Sequence, residues 1–266
     1  MKTIAFIGAG KIARALQAGL IQNGYSADNI WMSSPNIDKN TQLTAFPVHL
    51  TNDNNEAARH AEVIVFAVKP FVMKSVCESL KKTLQKKNNL LITVVTGTTT
   101  HSIAQWTGQT NIVRTMPNVA ASVGAGVTGL FANNDVSDDK KSFAETLFRS
   151  VGATTWVKEE GQLDAITAIS GSGPAYFFYL CEAMQAAGVA LGLDKNQSKL
   201  LVAETALGAA KMMIESGDDF HVLREKVTSD KGTTMAATTV FDQHDLKNIT
   251  KMAVKAAFSR AKELAS

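Results

Sequence analysis

Short apolar runs closed by turn residues alternate with segments of helical spacing over the first 157 positions. Residues 3–7 form one such run, bounded by Gly8, in the manner of a buried parallel strand. Ile12, Leu16 and Leu20 then recur at helical spacing, and Asn23-Gly24 closes that helix. Further strands are predicted at 30–33, 62–68, 90–96, 112–115, 123–132 and 153–157. A short helix capped by Asn54 or Asn55 runs to His60, and another covers 71–84 after Pro70. A fourth covers 101–106, and a fifth starts at Ser137, an N-cap followed by Asp138 and Asp139, and ends near Ser150. Strands alternating with helices define an α/β chain with a doubly wound parallel sheet.

The pattern changes after Glu159-Glu160. From Asp164 onward strand signal is almost absent. Tyr176, Leu180, Ala183, Ala187 and Leu191 keep helical spacing, as do Leu200, Glu204, Leu207 and Lys211. Helices also cover about 219–227, 233–241 and 246–264. The boundary falls between Val157 and Asp164, giving domains 1–160 and 161–266. Helices with small residues on several faces pack against another copy, so the second domain is expected to dimerise.

The first turn carries candidate chemistry. Gly8, Gly10 and Ala13 fit G-x-G-x-x-A between a strand and a helix. The first glycine permits the tight turn, the second lets backbone approach a diphosphate, and the small third residue lets helix pack on strand. The amides opening the helix can hold phosphates, so 1–160 reads as a dinucleotide-binding domain. The end of the second strand bears on cofactor choice. Ser33-Ser34-Pro35-Asn36 stands where an Asp or Glu would bind a ribose hydroxyl. No carboxylate precedes Asp38, and Lys39 is near. Hydroxyl and amide donors favour a 2′-phosphate, hence NADP with NADPH preferred, NADH staying open. The ends at 8–10, 33–34, 67–70, 96–97 and 116–118 should line one crevice.

Composition narrows the partners. Net charge is +3 and charged residues make up 19%, which argues against nucleic acid. Lys81, Lys82, Lys86 and Lys87 are read as one solvated helix face. No apolar run approaches the roughly 20 residues of a membrane helix. Two separated cysteines, Cys77 and Cys181, suit free thiols in a reducing, cytoplasmic setting. The five histidines show no metal spacing, and no metal is expected. Met212 and Met213 read as core.

Two stretches remain in the second half. Ser170-Gly171-Ser172-Gly173-Pro174-Ala175 and Thr228-Ser229-Asp230-Lys231-Gly232-Thr233-Thr234 each precede a helix, as an anion site or as a bare connection. The first is no nucleophile elbow, because position 170 is serine where that motif needs glycine.

With Val-Lys-Pro at 68–70 and Arg-Thr-Met-Pro-Asn at 114–118, these stretches complete a resemblance. Asp-Ala-Ile-Thr-Ala-Ile-Ser-Gly-Ser-Gly-Pro-Ala-Tyr at 164–176 and Gly-Thr-Thr at 232–234 agree in order and spacing. The chain resembles the pyrroline-5-carboxylate reductase family from the first strand to the last helix. The resemblance implies a Rossmann domain followed by an all-helical dimerisation domain, an interlocked homodimer often assembled into a decamer. It implies NAD(P)H-dependent hydride transfer to the imine of 1-pyrroline-5-carboxylate, giving L-proline. It places cofactor contacts at Gly8, Gly10, Lys11, Ile12, Ser34, Asn54, Ala67, Val68, Lys69 and Pro70, with Pro117 and Asn118 near the nicotinamide. Substrate contacts fall on Glu160, Gly232, Thr233 and Thr234. The family's usual Ser-Pro-Gly-Gly is here Ser229-Asp230-Lys231-Gly232, and its usual Thr-Pro after Asn118 is Val119-Ala120.

In mechanism, Thr234 would hydrogen-bond the imine nitrogen, and the 232–234 amides would hold the carboxylate. Two other readings compete. One is a dehydrogenase of the same architecture acting on a different imine or a β-hydroxy acid. It would need a lysine acid–base, and no motif places Lys195, Lys199 or Lys211 in that role. The other is a cofactor-sensing regulator without activity.

Overall fold

A computed structural model describes residues 1–37 and 46–265. The chain divides into two compact units, one running to Ser172 and including the chain from Ala257, the other Gly173–Ala256. Asp38 and Lys39, which bear on cofactor preference, lie outside the described residues.

In the first unit the order is β1 (Ile4–Ile7), α1 (Lys11–Gln22), β2 (Ile30–Ser33), β3 (His49–Thr51), α2 (Asn54–His60), β4 (Val63–Phe66), α3 (Met73–Leu84), β5 (Leu90–Thr93), α4 (Thr100–Thr107), β6 (Ile112–Met116), β7 (Gly126–Ala132), α5 (Asp138–Arg149), β8 (Gly152–Trp156) and α6 (Gln162–Ile166). One sheet runs β3-β2-β1-β4-β5-β6-β7-β8. Neighbours are parallel except β6 and β7, which pair antiparallel with Thr115 opposite Leu130. The reversal follows from the connection. Between Met116 and Gly126 lies only a 3-10 turn, Val119–Val123, too short for the helix a parallel crossover needs. Helix α5 then carries the chain over so that β8 lies parallel to β7.

Strands β1, β4 and β5 are buried along their whole length, as continuous apolar runs require. Leu16, Leu20, Leu147 and Phe148 cover one face, and Met73, Cys77, Leu80 and Ile103 the other. Burial pushes the Cys77 thiol up to about 12, which leaves it an inert apolar filler.

Two local expectations change. The cap of α2 is Asp53, whose carboxylate accepts from Asn55 N at 2.8 Å, because Asn54 and Asn55 already have helical positions. The lysine cluster is not one helix face, since α3 stops at Leu84. Lys87 instead donates to the carbonyls of Arg59 and Ala61 at the end of α2.

The second unit contains α7 (Gly173–Ala190), α8 (Lys195–Glu215), α9 (Phe220–Lys226), α10 (Thr233–Gln243) and the start of α11 (Leu246–Ala265). Its large apolar side chains stay exposed in the single chain: Phe178 is 67% accessible, Leu191 86% and Ile214 82%. Met212, expected in a core, is 50% accessible for the same reason, since α8 carries apolar residues on several faces. Among the described residues no helix is long and apolar enough to cross a membrane.

Candidate active site

Order in the sheet places β1 beside β4, with the chain leaving them to opposite sides, toward β2 and toward β5. That reversal opens a crevice at the carboxyl ends of parallel strands. Gly8 stands there at φ +104°, and a Cβ on it would meet the Ala67 carbonyl oxygen at 2.5 Å. The turn after β1 and the end of β4 therefore touch backbone to backbone, and only glycine fits. Gly10 differs. It has φ −73°, and its nearest neighbour to a built Cβ is the same oxygen at 3.8 Å. Protein packing does not demand glycine at position 10; close approach of a ligand would.

Gly10 is the N-cap of α1, and no side chain caps it. The helix opens at Lys11 and Ile12 without an acidic residue in its first turn. These first amides and the helix dipole present a donor set suited to a diphosphate. Along the same edge, Ser33 Oγ donates to Asn54 Oδ1 at 2.6 Å, and Ser34 N donates to the Thr51 carbonyl at 3.2 Å. The structure thus brings Ser33, Ser34 and Asn54 together past β2 and β3, where the nearby carboxylates of Asp53 and Glu56 accept from Asn55 N and Thr51 Oγ1. Past β4, Ala67 N donates to the Ile7 carbonyl at 2.8 Å, and Lys69 and Pro70 are exposed.

Pro117 and Asn118 follow β6. Asn118 is buried and spends both ends of its amide on protein: Nδ2 donates to the Ser170 carbonyl at 3.1 Å, and Oδ1 accepts from Val127 N at 3.3 Å. Its partner lies in a π-helical turn, Thr167–Gly171, that continues α6. Glycine and serine composition alone suggests a loose connection here. Chain chemistry explains the turn instead. Pro174, four residues after Ser170, has no N–H to offer that carbonyl, and Asn118 supplies the missing donor. Gly171 leaves room for Met116, whose Cε would lie 2.6 Å from an added Cβ.

Glu160 belongs to a buried ion cluster. Its Oε1 accepts from Thr100 N at 2.8 Å and from Arg114 Nη1 at 3.2 Å, and its Oε2 accepts from Thr100 Oγ1 at 2.8 Å. Arg114 Nη2 reaches Asp164 Oδ1 at 3.5 Å. Sequence alone assigns no role to Arg114, Asp164 or Thr100. The available signal is an arginine inside an otherwise apolar strand, since a buried charge requires a partner.

Gly232, Thr233 and Thr234 lie in the second unit, where Gly232 is the uncapped N-cap of α10. Ser229 Oγ fills the space a side chain at Gly232 would need. Lys231 just before it holds φ +54°, a left-handed conformation uncommon outside glycine. Among the described residues no group of three or more His, Cys, Asp or Glu is placed to hold a metal ion. His49 and His60 instead stack on the two sides of Trp31, with centroids 4.6 and 4.4 Å away.

A glycine turn at the reversal point of a parallel sheet, followed by a helical unit, defines a dinucleotide-binding protein of Rossmann type. Comparison with known proteins narrows this. Residues 160–264 match the family model for pyrroline-5-carboxylate reductase dimerisation, and residues 3–97 match that for coenzyme F420-dependent NADP oxidoreductases. A pyrroline-5-carboxylate reductase of Vibrio alginolyticus is 41% identical, over 99% of this chain and 97% of that one. The solved enzyme of Coxiella burnetii superposes with a TM-score of 0.94 at 44% identity, over 100% of this chain and 99% of that one. The Plasmodium falciparum enzyme, solved with NADP bound, gives 0.88 at 31%, over 100% and 98%. The chain belongs to the pyrroline-5-carboxylate reductase family.

Proposed function

We propose that this chain reduces the imine of 1-pyrroline-5-carboxylate to L-proline, using NADPH. The observation that carries this is agreement over the whole chain with reductases of that name, joined to the Gly8–Ala67 contact at the sheet's reversal point. The bound NADP in the Plasmodium relative and the hydroxyl and amide group of Ser33, Ser34 and Asn54 support NADP over NAD. NADPH supplies the hydride. The cofactor would rest on Gly8, Gly10, Lys11, Ile12, Ser34, Asn54 and residues 67–70, with Pro117 and Asn118 toward the nicotinamide.

On the substrate side, Gly232, Thr233 and Thr234 offer the opening amides of α10 to the carboxylate, and the Thr234 hydroxyl bonds the ring nitrogen. Glu160 offers an anchored negative charge to that nitrogen as it takes up a proton from solvent water. The protein's part is orientation and charge, since the hydride carrier does the difficult step. This reading divides the chain functionally at residue 160, with 161–266 holding the substrate carboxylate and pairing two copies. A dimer accounts for the apolar surface of the second unit. Assembly into a decamer, and residence in the cytoplasm, are further parts of this reading.

The test is proline-dependent reduction of NADP+ at high pH, with reduction of 1-pyrroline-5-carboxylate as its reverse. Activity in both directions is expected, with a lower KM for NADPH than for NADH. Binding of NADPH without turnover of either substrate would instead mark a cofactor-sensing regulator. Thr234→Ala should lower kcat/KM about 10²-fold, the lower end for a lost acid–base contact, with NADPH affinity unchanged.

A further inference from the structure

Arg114 is 5% exposed, yet it carries a full charge in the middle of β6. Its two terminal nitrogens go to different carboxylates, Nη1 to Glu160 and Nη2 to Asp164. The side chains of all three are largely withdrawn from water, at 6%, 22% and 10% exposure. Stability does not explain such a cluster, because apolar residues of similar volume often serve as well or better. What the ion pairs supply is direction. A planar guanidinium divided between two partners has one orientation, and lysine, a point charge, does not reproduce it.

Glu160 is the most exposed member and the most restrained. Thr100 holds both of its oxygens from the start of α4, and Arg114 holds one of them from β6. Asp164, on α6, in turn holds Arg114. One positive and two negative groups leave the cluster with a net negative charge, which suits a cation next to Glu160.

We infer that Arg114 is a positioning residue for Glu160, with Asp164 holding Arg114 in place, so that the cluster presents a carboxylate of fixed direction to the protonated ring nitrogen of the substrate. This rests on the assignment of Glu160 to the substrate. The role assigned to Arg114 and Asp164 acts through Glu160 and needs no contact of their own with substrate or cofactor.

The test compares Arg114→Gln and the double variant Arg114→Gln/Asp164→Asn with the unaltered protein. It measures kcat and the KM values for 1-pyrroline-5-carboxylate and NADPH, with thermal melting as the check on folding. One charge-assisted hydrogen bond is worth enough to raise the KM for 1-pyrroline-5-carboxylate about tenfold. The KM for NADPH should stay within about twofold, because uniform loss of one ligand's binding appears in that ligand's KM alone. A merely structural role lowers the folded fraction, hence apparent kcat and melting temperature, and leaves the KM for 1-pyrroline-5-carboxylate where it was; that result overturns the inference. The double variant removes one charge of each sign and with it the Asp164 carboxylate that the single variant strands, leaving Glu160 held by Thr100 alone, so it reads the same quantity if the single variant does not fold. Failure of the unaltered protein to reduce 1-pyrroline-5-carboxylate would defeat the functional reading instead, and is seen before any variant is made.

Discussion

The two units of this chain satisfy their apolar residues by different means. In the first, Phe6, Phe66, Phe148, Ile64 and Leu80 are all inaccessible, and both faces of the sheet are covered by the unit's own helices. In the second, between Gly173 and Ala256, only Gly173 and Ser198 are buried, while Phe177, Phe178 and Tyr179 project from consecutive positions of α7. Exposed apolar surface on this scale marks an interaction face. The match of residues 160–264 to a dimerisation family identifies what covers it, a second copy. The lesson concerns where a core resides. The nucleotide-binding half carries its own, and the helical half completes its core only by pairing.

The strongest way to break that contrast is to charge the exposed face. Phe178→Arg is expected to give monomers by sedimentation, with loss of the helical unit's cooperative melting and of activity. Burying a phenylalanine contributes about 1.5–3 kcal/mol, and a two-fold interface counts it twice, so about 3–6 kcal/mol of pairing is at stake. The first unit should keep its own transition. A variant that stays dimeric would show that Phe178 faces solvent and that the pairing surface lies elsewhere.

Next in size is a pair of glycine substitutions in the self-sufficient unit. Gly8→Ala forces a left-handed backbone and drives a methyl group to 2.5 Å from a fixed carbonyl oxygen. The cost of such strain and overpacking is about 1–3 kcal/mol, read as a lowered melting temperature without any ligand. Gly10→Ala has ordinary φ and room for its Cβ. It should melt normally and lose NADPH affinity about tenfold or more, because the methyl would occupy the diphosphate's approach. If the two variants behaved alike, the division of labour between the glycines would be wrong.

Much of this architecture is legible in the sequence because its signals are local. The run at 3–7 and the helical spacing of Ile12, Leu16 and Leu20 sit in β1 and α1 with boundaries nearly as read. What escapes depends on residues far apart in sequence. Asn118 meets Ser170 across 52 positions, and Arg114 meets Asp164 across 50. No spacing rule reports such pairs, although Pro174 already indicates that a carbonyl upstream needs another donor. The reversal between β6 and β7 is available in principle, from the shortness of their connection. The accessibility of Met212 is not, since composition alone does not distinguish a core shared between chains from one within a chain.

The smallest effect lies in the turn before α10, where Asp230 and Lys231 replace the family's usual proline and glycine. Lys231 holds φ +54°. A left-handed conformation costs a residue with a Cβ about 1–2 kcal/mol, while glycine gives back about 0.5–1 kcal/mol through its freer unfolded chain. The first figure exceeds the second, so Lys231→Gly should stabilise the helical unit by about 0.5–1 kcal/mol. For a unit of this size that raises its melting temperature by a few degrees. The first unit's transition should not move, since its sheet and helices owe nothing to this turn. A shift of both transitions together would mean that the two units melt as one, and the contrast drawn between them would then hold for packing but not for unfolding.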